Sequence, residues 1–326
     1  MSASPRRATV LLVLLAGAPL SAEPVRLAGR AFGWPVEIEV RDLESAAAES
    51  AIAEAFGELE KTRLEARALE ETARAAPAAA PATPAQLELL RRAQGLCFWS
   101  EGTLGPAGGE LLRIWGALEP VLGLPTPEAL EQAISTARCD RLELDLTAGS
   151  FRLAPGSALE LTPFALGWGV DRAAERLRAR GAANFWIAVG PLARAAGAGP
   201  DGRGWRFDPP PFAGQEEPLG GFFLRDRALA ILTPELRPLR VGGERYASFV
   251  DFRRGRPAGG VVGLMVVSEL AVDAYGVGYV MFARGPREGT MLLGTLPVKP
   301  SIRWLLGTGS GPPVLTDANW SVVPRR

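Results

Sequence analysis

The sequence predicts an α+β protein folded as one mixed domain, on three observations. A strand-like alternation near the N-terminus runs straight into a long Ala/Glu/Leu-rich amphipathic stretch. A run of strand-like segments fills residues 219–282. No internal repeat or clean linker divides the 326 residues, a length that suits one large core or two smaller ones.

The elements follow in order. In "RLAGRAFGWPVEIEVRD", Val36, Ile38 and Val40 alternate with Glu37, Glu39 and Arg41, the pattern of a half-buried strand. Ile52, Ala55, Phe56 and Leu59 then recur at helical spacing within "LESAAAESAIAEAFGELEKTRLEARALEETAR". The Pro/Ala stretch at 75–86 breaks that helix and reads as a mobile surface loop. Thr83 and Pro84 suit the cap and first position of a second helix, "AQLELLRRAQGLCFWS".

A helix is expected near Pro127–Ala137, followed by a strand pair around the turn "TAGS". Residues 160–190 read as an apolar loop, a helix over 171–181 stopped by Gly181, and the strand "FWIAVG". The nearly continuous apolar run "GVVGLMVVS" predicts a central strand. "LAVDAYGVGYVMFA" predicts a closing helix, and the tail a strand, a turn and a loose end.

Composition removes several function classes. Lys+Arg balance Asp+Glu, so neither a nucleic-acid surface nor a polybasic membrane patch is expected. There is no histidine, which excludes Ser-His-Asp and Cys-His nucleophilic sites and HExxH zinc sites. The opening "MSASPRRATVLLVLLAGAPLSAEP" has the charged start, short apolar run and small-residue end of a secretory signal over residues 1–22. Residues 23–326 are then the mature domain, exported to the periplasm or cell envelope, with no transmembrane segment of its own; an uncleaved anchor is the alternative. Export permits a bridge between Cys97 and Cys139, which the sequence leaves as open as two unpaired thiols.

Five segments in fixed order, spanning roughly residues 26–320, resemble the ApbE-type FAD:protein FMN transferases. "GRAFGWPVEIEV" resembles the family's opening strand. "GTLGPAGGELLRIWG" is similar to "GAFDPTVGPLLNLWG", and "ELTPFALGWGVDRAAERL" to "DLGGIAKGYAVDRAAELL". "SFVDFRRGRP" resembles "HIIDPRTGRP", and "LAVDAYGVGYVMF" resembles "MLADALATALFVL". The resemblance implies FAD and Mg2+ as ligands, with the FMN half passed to a threonine or serine of a target protein. It implies flavin contacts at Glu160, Ala165, Gly167, Trp168, Gly190, Asp251 and Arg253, and metal ligands at the Ala165 carbonyl and the Asp273 carboxylate.

The same match places losses. The family's lysine falls on Leu166, its histidine on Ser248, its metal-ligating threonine on Val277 and the Asp of "GAFDP" on Gly105. A hydrocarbon replaces a cation able to meet phosphate oxygens. The expectation is therefore a degenerate member with transfer lost or much weakened, and a residual role in binding flavin or an envelope redox protein. The alternatives are an active Mg-dependent transferase and an interaction module with a plugged cavity.

Individual residues carry their plain readings beside these. Asp171 suits a helix N-terminal acid better than a ligand. Asp273 is balanced between metal binding and an internal hydrogen bond. Asp251 beside Arg253, Arg254 and Arg256 reads as a turn with a local ion pair, or as arginines standing in for the missing lysine. Trp99, Trp115 and Trp186 suit a core, whereas Trp168 is placed either to stack on a flavin or to plug the site.

Overall fold

Eight strands lie side by side in chain order, each antiparallel to its neighbours: β1 (Val25–Ala31), β2 (Trp34–Val40), β3 (Phe185–Val189), β4 (Leu192–Ala196), β5 (Ala228–Leu232), β6 (Val261–Ser268), β7 (Ser301–Leu306) and β8 (Val314–Ala318). The computed structural model describes residues 23–75, 78–117, 119–215, 217–297, 299–309 and 311–321. The expected leader, residues 1–22, lies outside them.

Three helices cover one face of the sheet: α1 (Ser45–Ala75), α5 (Thr162–Ala179) and α6 (Ala271–Leu293, broken at Gly285). Between α1 and α5 the chain makes α2 (Pro84–Trp99), α3 (Gly109–Ile114), α4 (Pro127–Thr136) and a small sheet of Leu142–Asp145, Ser150–Leu153 and Ala80–Pro81. A smaller aromatic core sits on the opposite face, with Trp205, Phe212 and Phe222 packed on Leu229, Met265 and Val267. Strand alternation supplies both cores. Leu264 and Val266 of β6 enter the first, while Met265 and Val267 enter the second. Burial on two faces is the physical reason that this strand reads as unbroken hydrocarbon.

Local chemistry sets the boundaries. Thr83 accepts the Gln86 N–H while Gln86 Oε1 accepts the Thr83 N–H (3.3 and 2.9 Å), a reciprocal cap that starts α2 where expected. The opening alternation proves to be the second strand of a hairpin. Phe32 and Gly33, both at positive φ, make its tight turn.

Three other expectations need correction. The second half of the 75–86 stretch is not free loop: Ala80 and Pro81 pair with Phe151 and Ser150, and Ala82 N–H donates to Gly149 O (2.9 Å). The loose tail contains β8, an edge strand whose one-sided pairing explains its weak sequence pattern. Most consequentially, the helix expected at 171–181 begins at Thr162, so the supposed loop 161–169 forms its first two turns. Pro163 suits a first turn, where a missing N–H costs nothing. Gly181 does end the helix, at φ +89°, with its N–H donating to Arg178 O (2.9 Å).

Candidate functional site

The N-terminal end of α6 is built by a residue 100 positions away. Asp171, in the middle of α5, accepts the Ala271 N–H on Oδ1 (2.8 Å) and the Val272 N–H on Oδ2 (2.9 Å). It is a helix N-terminal acid, as its chemistry suggests, but of α6 and not of its own helix. The crossing requires Gly167: a Cβ there would lie 2.5 Å from Val272 Cα and 2.7 Å from Ala271 O. That close approach, rather than a loop, accounts for the glycine.

Asp171 is 4% exposed. Burial pushes its carboxyl up to about 6, against the pull of the two N–H bonds and of buried Arg194, whose Nε is 3.8 Å away. The other end of this layer carries a second held acid. Glu70 of α1 accepts the Leu161 N–H (2.7 Å), and Glu160 accepts the Thr162 N–H (2.9 Å), so two carboxylates answer the free donors at the start of α5. Burial, with Glu160 nearby, lifts Glu70 to about 7.

Beyond the capped end of α6 lies a cleft of about 410 Å3. Arg92, Leu96 and Trp99 of α2 form one wall, Phe164 of α5 and Asp273 and Val277 of α6 another, and Pro297 and Pro300 close it. Asp273 stands exposed in the first turn of α6. The surrounding wall raises its carboxyl above the ordinary range, Arg92 opposing and Glu269 reinforcing. Trp99 is fixed by an Nε1–H bond to Thr295 Oγ1 (3.1 Å). Arg92 was not singled out by sequence reading, although 92, 96 and 99 share a helix face and that spacing was the available signal.

The residues expected to contact flavin are spread over the start of α5, the β3–β4 turn and the Val250–Pro257 hairpin. Ala165 is fully buried one residue from the cleft-lining Phe164, and its N–H donates to Leu161 O (2.8 Å). Trp168 packs against the main core with the Arg92 guanidinium 4.8 Å over its ring, so a protein cation occupies one of its faces. Gly190 makes the β3–β4 turn at φ +53°, where a Cβ would meet the Trp34 ring at 2.5 Å.

Asp251 and Arg253 lie at the hairpin of Val250–Asp251 and Arg256–Pro257. Arg253 donates to both oxygens of buried Asp251 (3.1 and 2.8 Å) and to Glu288 (3.2 Å), so the turn-with-ion-pair reading describes what the structure shows.

The positions of expected loss have new occupations. Leu166 is 1% exposed and belongs to the main core. Ser248 Oγ donates to Leu236 O (2.8 Å), and Tyr279 Oη donates to the Ser248 carbonyl (3.2 Å). Cys97 and Cys139 form a disulfide, and a Cβ on Gly105 would lie 2.5 Å from Cys97 Sγ. The bridge thus fills the space an aspartate would need.

The donor set is one side-chain oxygen short of the implied magnesium site: Val277 has no side-chain oxygen, and among the described residues no three of His, Cys, Asp and Glu group closely enough to replace it. No reaction step is derived through that ion.

The helix-covered sheet is the fold of the ApbE flavin transferases. Superposition on the flavin transferase ApbE from Vibrio cholerae gives a TM-score of 0.78 at 22% identity, covering 92% of this chain and 98% of that one. The ApbE protein of Thermotoga maritima gives 0.78 at 18% identity, covering 91% and 97%. The family's sequence model matches residues 32–299, and the chain belongs to the ApbE family. Curated relatives include a FAD:protein FMN transferase of Vibrio cholerae serotype O1, 26% identical over 208 residues, and one of Haemophilus influenzae, 25% identical over 194. These alignments span 62% and 57% of this chain, and 62% and 56% of the relatives' own lengths.

Proposed function

We propose that this chain is an exported ApbE-family protein in which FAD:protein FMN transfer is lost or severely weakened, and which keeps a role in binding a flavin or an envelope redox partner. The observation that carries the reading is the cleft at α6. It retains Asp273, but Val277 contributes only hydrocarbon, and Leu166 is packed into the core.

Transfer of a phosphoryl-linked group needs positive charge where charge develops on the leaving phosphate. Arg92 is the cleft's only cation, against Asp273 and Glu269. It is already committed to Glu88 (2.8 Å) and to the face of Trp168. A mainly apolar cleft with two carboxylates suits holding a planar ligand better than cleaving a pyrophosphate. Export rests on the leader read at residues 1–22; among the described residues no helix is long and apolar enough to cross a membrane.

The test is titration of the full chain with FAD, with and without magnesium, followed by analysis for FMN and AMP. Binding without either product is the expected result. Magnesium-dependent release of AMP would restore the active transferase. No binding in either condition removes the flavin and leaves a protein-interaction role.

A further inference from the structure

Ser268, Glu269 and Pro300 line the cleft on one side and a second cavity, of about 330 Å3, on the other. The two are neighbours across the β6–α6 corner, yet their electrostatics differ. The second cavity is lined by Arg225, Arg227 and Lys299 against one carboxylate, Glu269. Arg225 and Arg227 flank a tight turn between the strand Phe222–Leu224 and β5. Asp226, between them at φ +52°, is turned away to accept the Gly197 N–H (2.9 Å), so it does not neutralise them.

Arg227 reaches Glu269 only at 3.8 Å, and Arg225 and Lys299 have no ion-pair partner among the described residues. Elsewhere in the chain arginines are largely consumed by acids, as at Arg172 with Glu58 and Glu65. Ser268 adds a hydroxyl to the lining, while Ser301 Oγ is already donated to Asn319 O (2.7 Å).

Resting on the flavin-binding reading, we propose that this cavity is an anion subsite. It receives the phosphate monoester of a ligand whose planar, apolar part occupies the adjoining cleft. Guanidinium forks and an ammonium meet phosphate oxygens directly. The cleft itself offers one committed arginine and two carboxylates, a poor place for a dianion. The positive charge missing beside Leu166 has a counterpart here, on the far side of Glu269.

The probes are FMN and riboflavin, identical in ring and differing in the phosphate, titrated against the full chain by fluorescence quenching. FMN should bind about tenfold more tightly than riboflavin at low salt, a gap that narrows as ionic strength screens these exposed charges. R225Q/K299Q should bring FMN to the riboflavin level and leave riboflavin unchanged. Both residues are exposed, so the variant keeps its fold. Equal binding of FMN and riboflavin would overturn the subsite and leave flavin binding intact. A preference for FMN that survives R225Q/K299Q would place the phosphate elsewhere and also overturn it. Binding of neither flavin would remove both readings together.

Discussion

Asp251 sits at a hairpin turn and Arg225 at a turn between strands of two different sheets; both turns are rich in arginine, and they treat charge in opposite ways. At the first, Arg253 spans Asp251 and Glu288, Arg254 reaches Glu288 (2.7 Å), and Arg284 reaches Glu101 (2.9 Å). Arg253, Arg254 and Arg284 each meet a carboxylate, while Arg256 is exposed with no acid partner among the described residues. At the second, the intervening acid faces away and two cations stay open to a cavity. "DFRRGRP" drew attention as a phosphate candidate because its arginines are dense, but density says nothing about what they already hold. Folding used two of those charges, at Arg253 and Arg254, whereas in the sparser set at 225, 227 and 299 only Arg227 approaches an acid, at 3.8 Å.

Variants can separate charges that hold the fold from charges that face a ligand. The largest effect is expected at Asp171. D171A leaves two backbone N–H groups and Arg194 unanswered in the core and should cost about 3–5 kcal/mol in urea unfolding. A loss below about 1 kcal/mol would mean that the α5–α6 crossing holds without its cap. D251A should follow at about 2 kcal/mol, since it frees a buried partner of Arg253 whose other contacts are partly solvated.

Glu70 gives a smaller effect with a defined sign. Its carboxyl is raised from 4.5 to about 7, so the folded state holds a proton that the unfolded chain has released. Stability should therefore fall as pH rises from about 4.5 to about 7 and level off above that window. E70Q keeps an acceptor for the Leu161 N–H and should flatten that part of the profile. A slope in E70Q equal to that of the parent chain would assign the proton uptake to another group. Smallest of all, R225Q/K299Q should change stability by less than about 0.5 kcal/mol, because neither residue has an ion-pair partner among the described residues.

Much of the scaffold was legible because its signals are local. The Thr83–Gln86 box, the "TAGS" turn and the apolar β6 each declare themselves within a few residues. The start of α5 did not, because its reason is distant. Gly167 and Gly169 look like loop residues until Val272 is seen lying against Gly167, and sequence spacing carries no trace of that crossing. The disulfide was undecidable for the same reason: 42 residues separate its cysteines, and no motif ties them. The losses at Leu166, Ser248 and Val277 were readable position by position. What the sequence could not show is that these positions had been absorbed into core packing and local hydrogen bonds. The open cations at 225 and 299 were also hidden, since only the fold brings that turn to the end of β6.

The contact between Cys97 and Gly105 also sets an order on what substitution can undo. A single change restoring the aspartate expected at position 105 would drive its Cβ into Sγ, so it is blocked while the bridge stands. The cysteine must go first, and a chain that loses the bridge alone gives up about 4 kcal/mol of loop constraint by the chain-entropy estimate, with nothing gained at the neighbouring position. Each step is unfavourable until the other is made. The disulfide therefore sets the order in which those two positions can change.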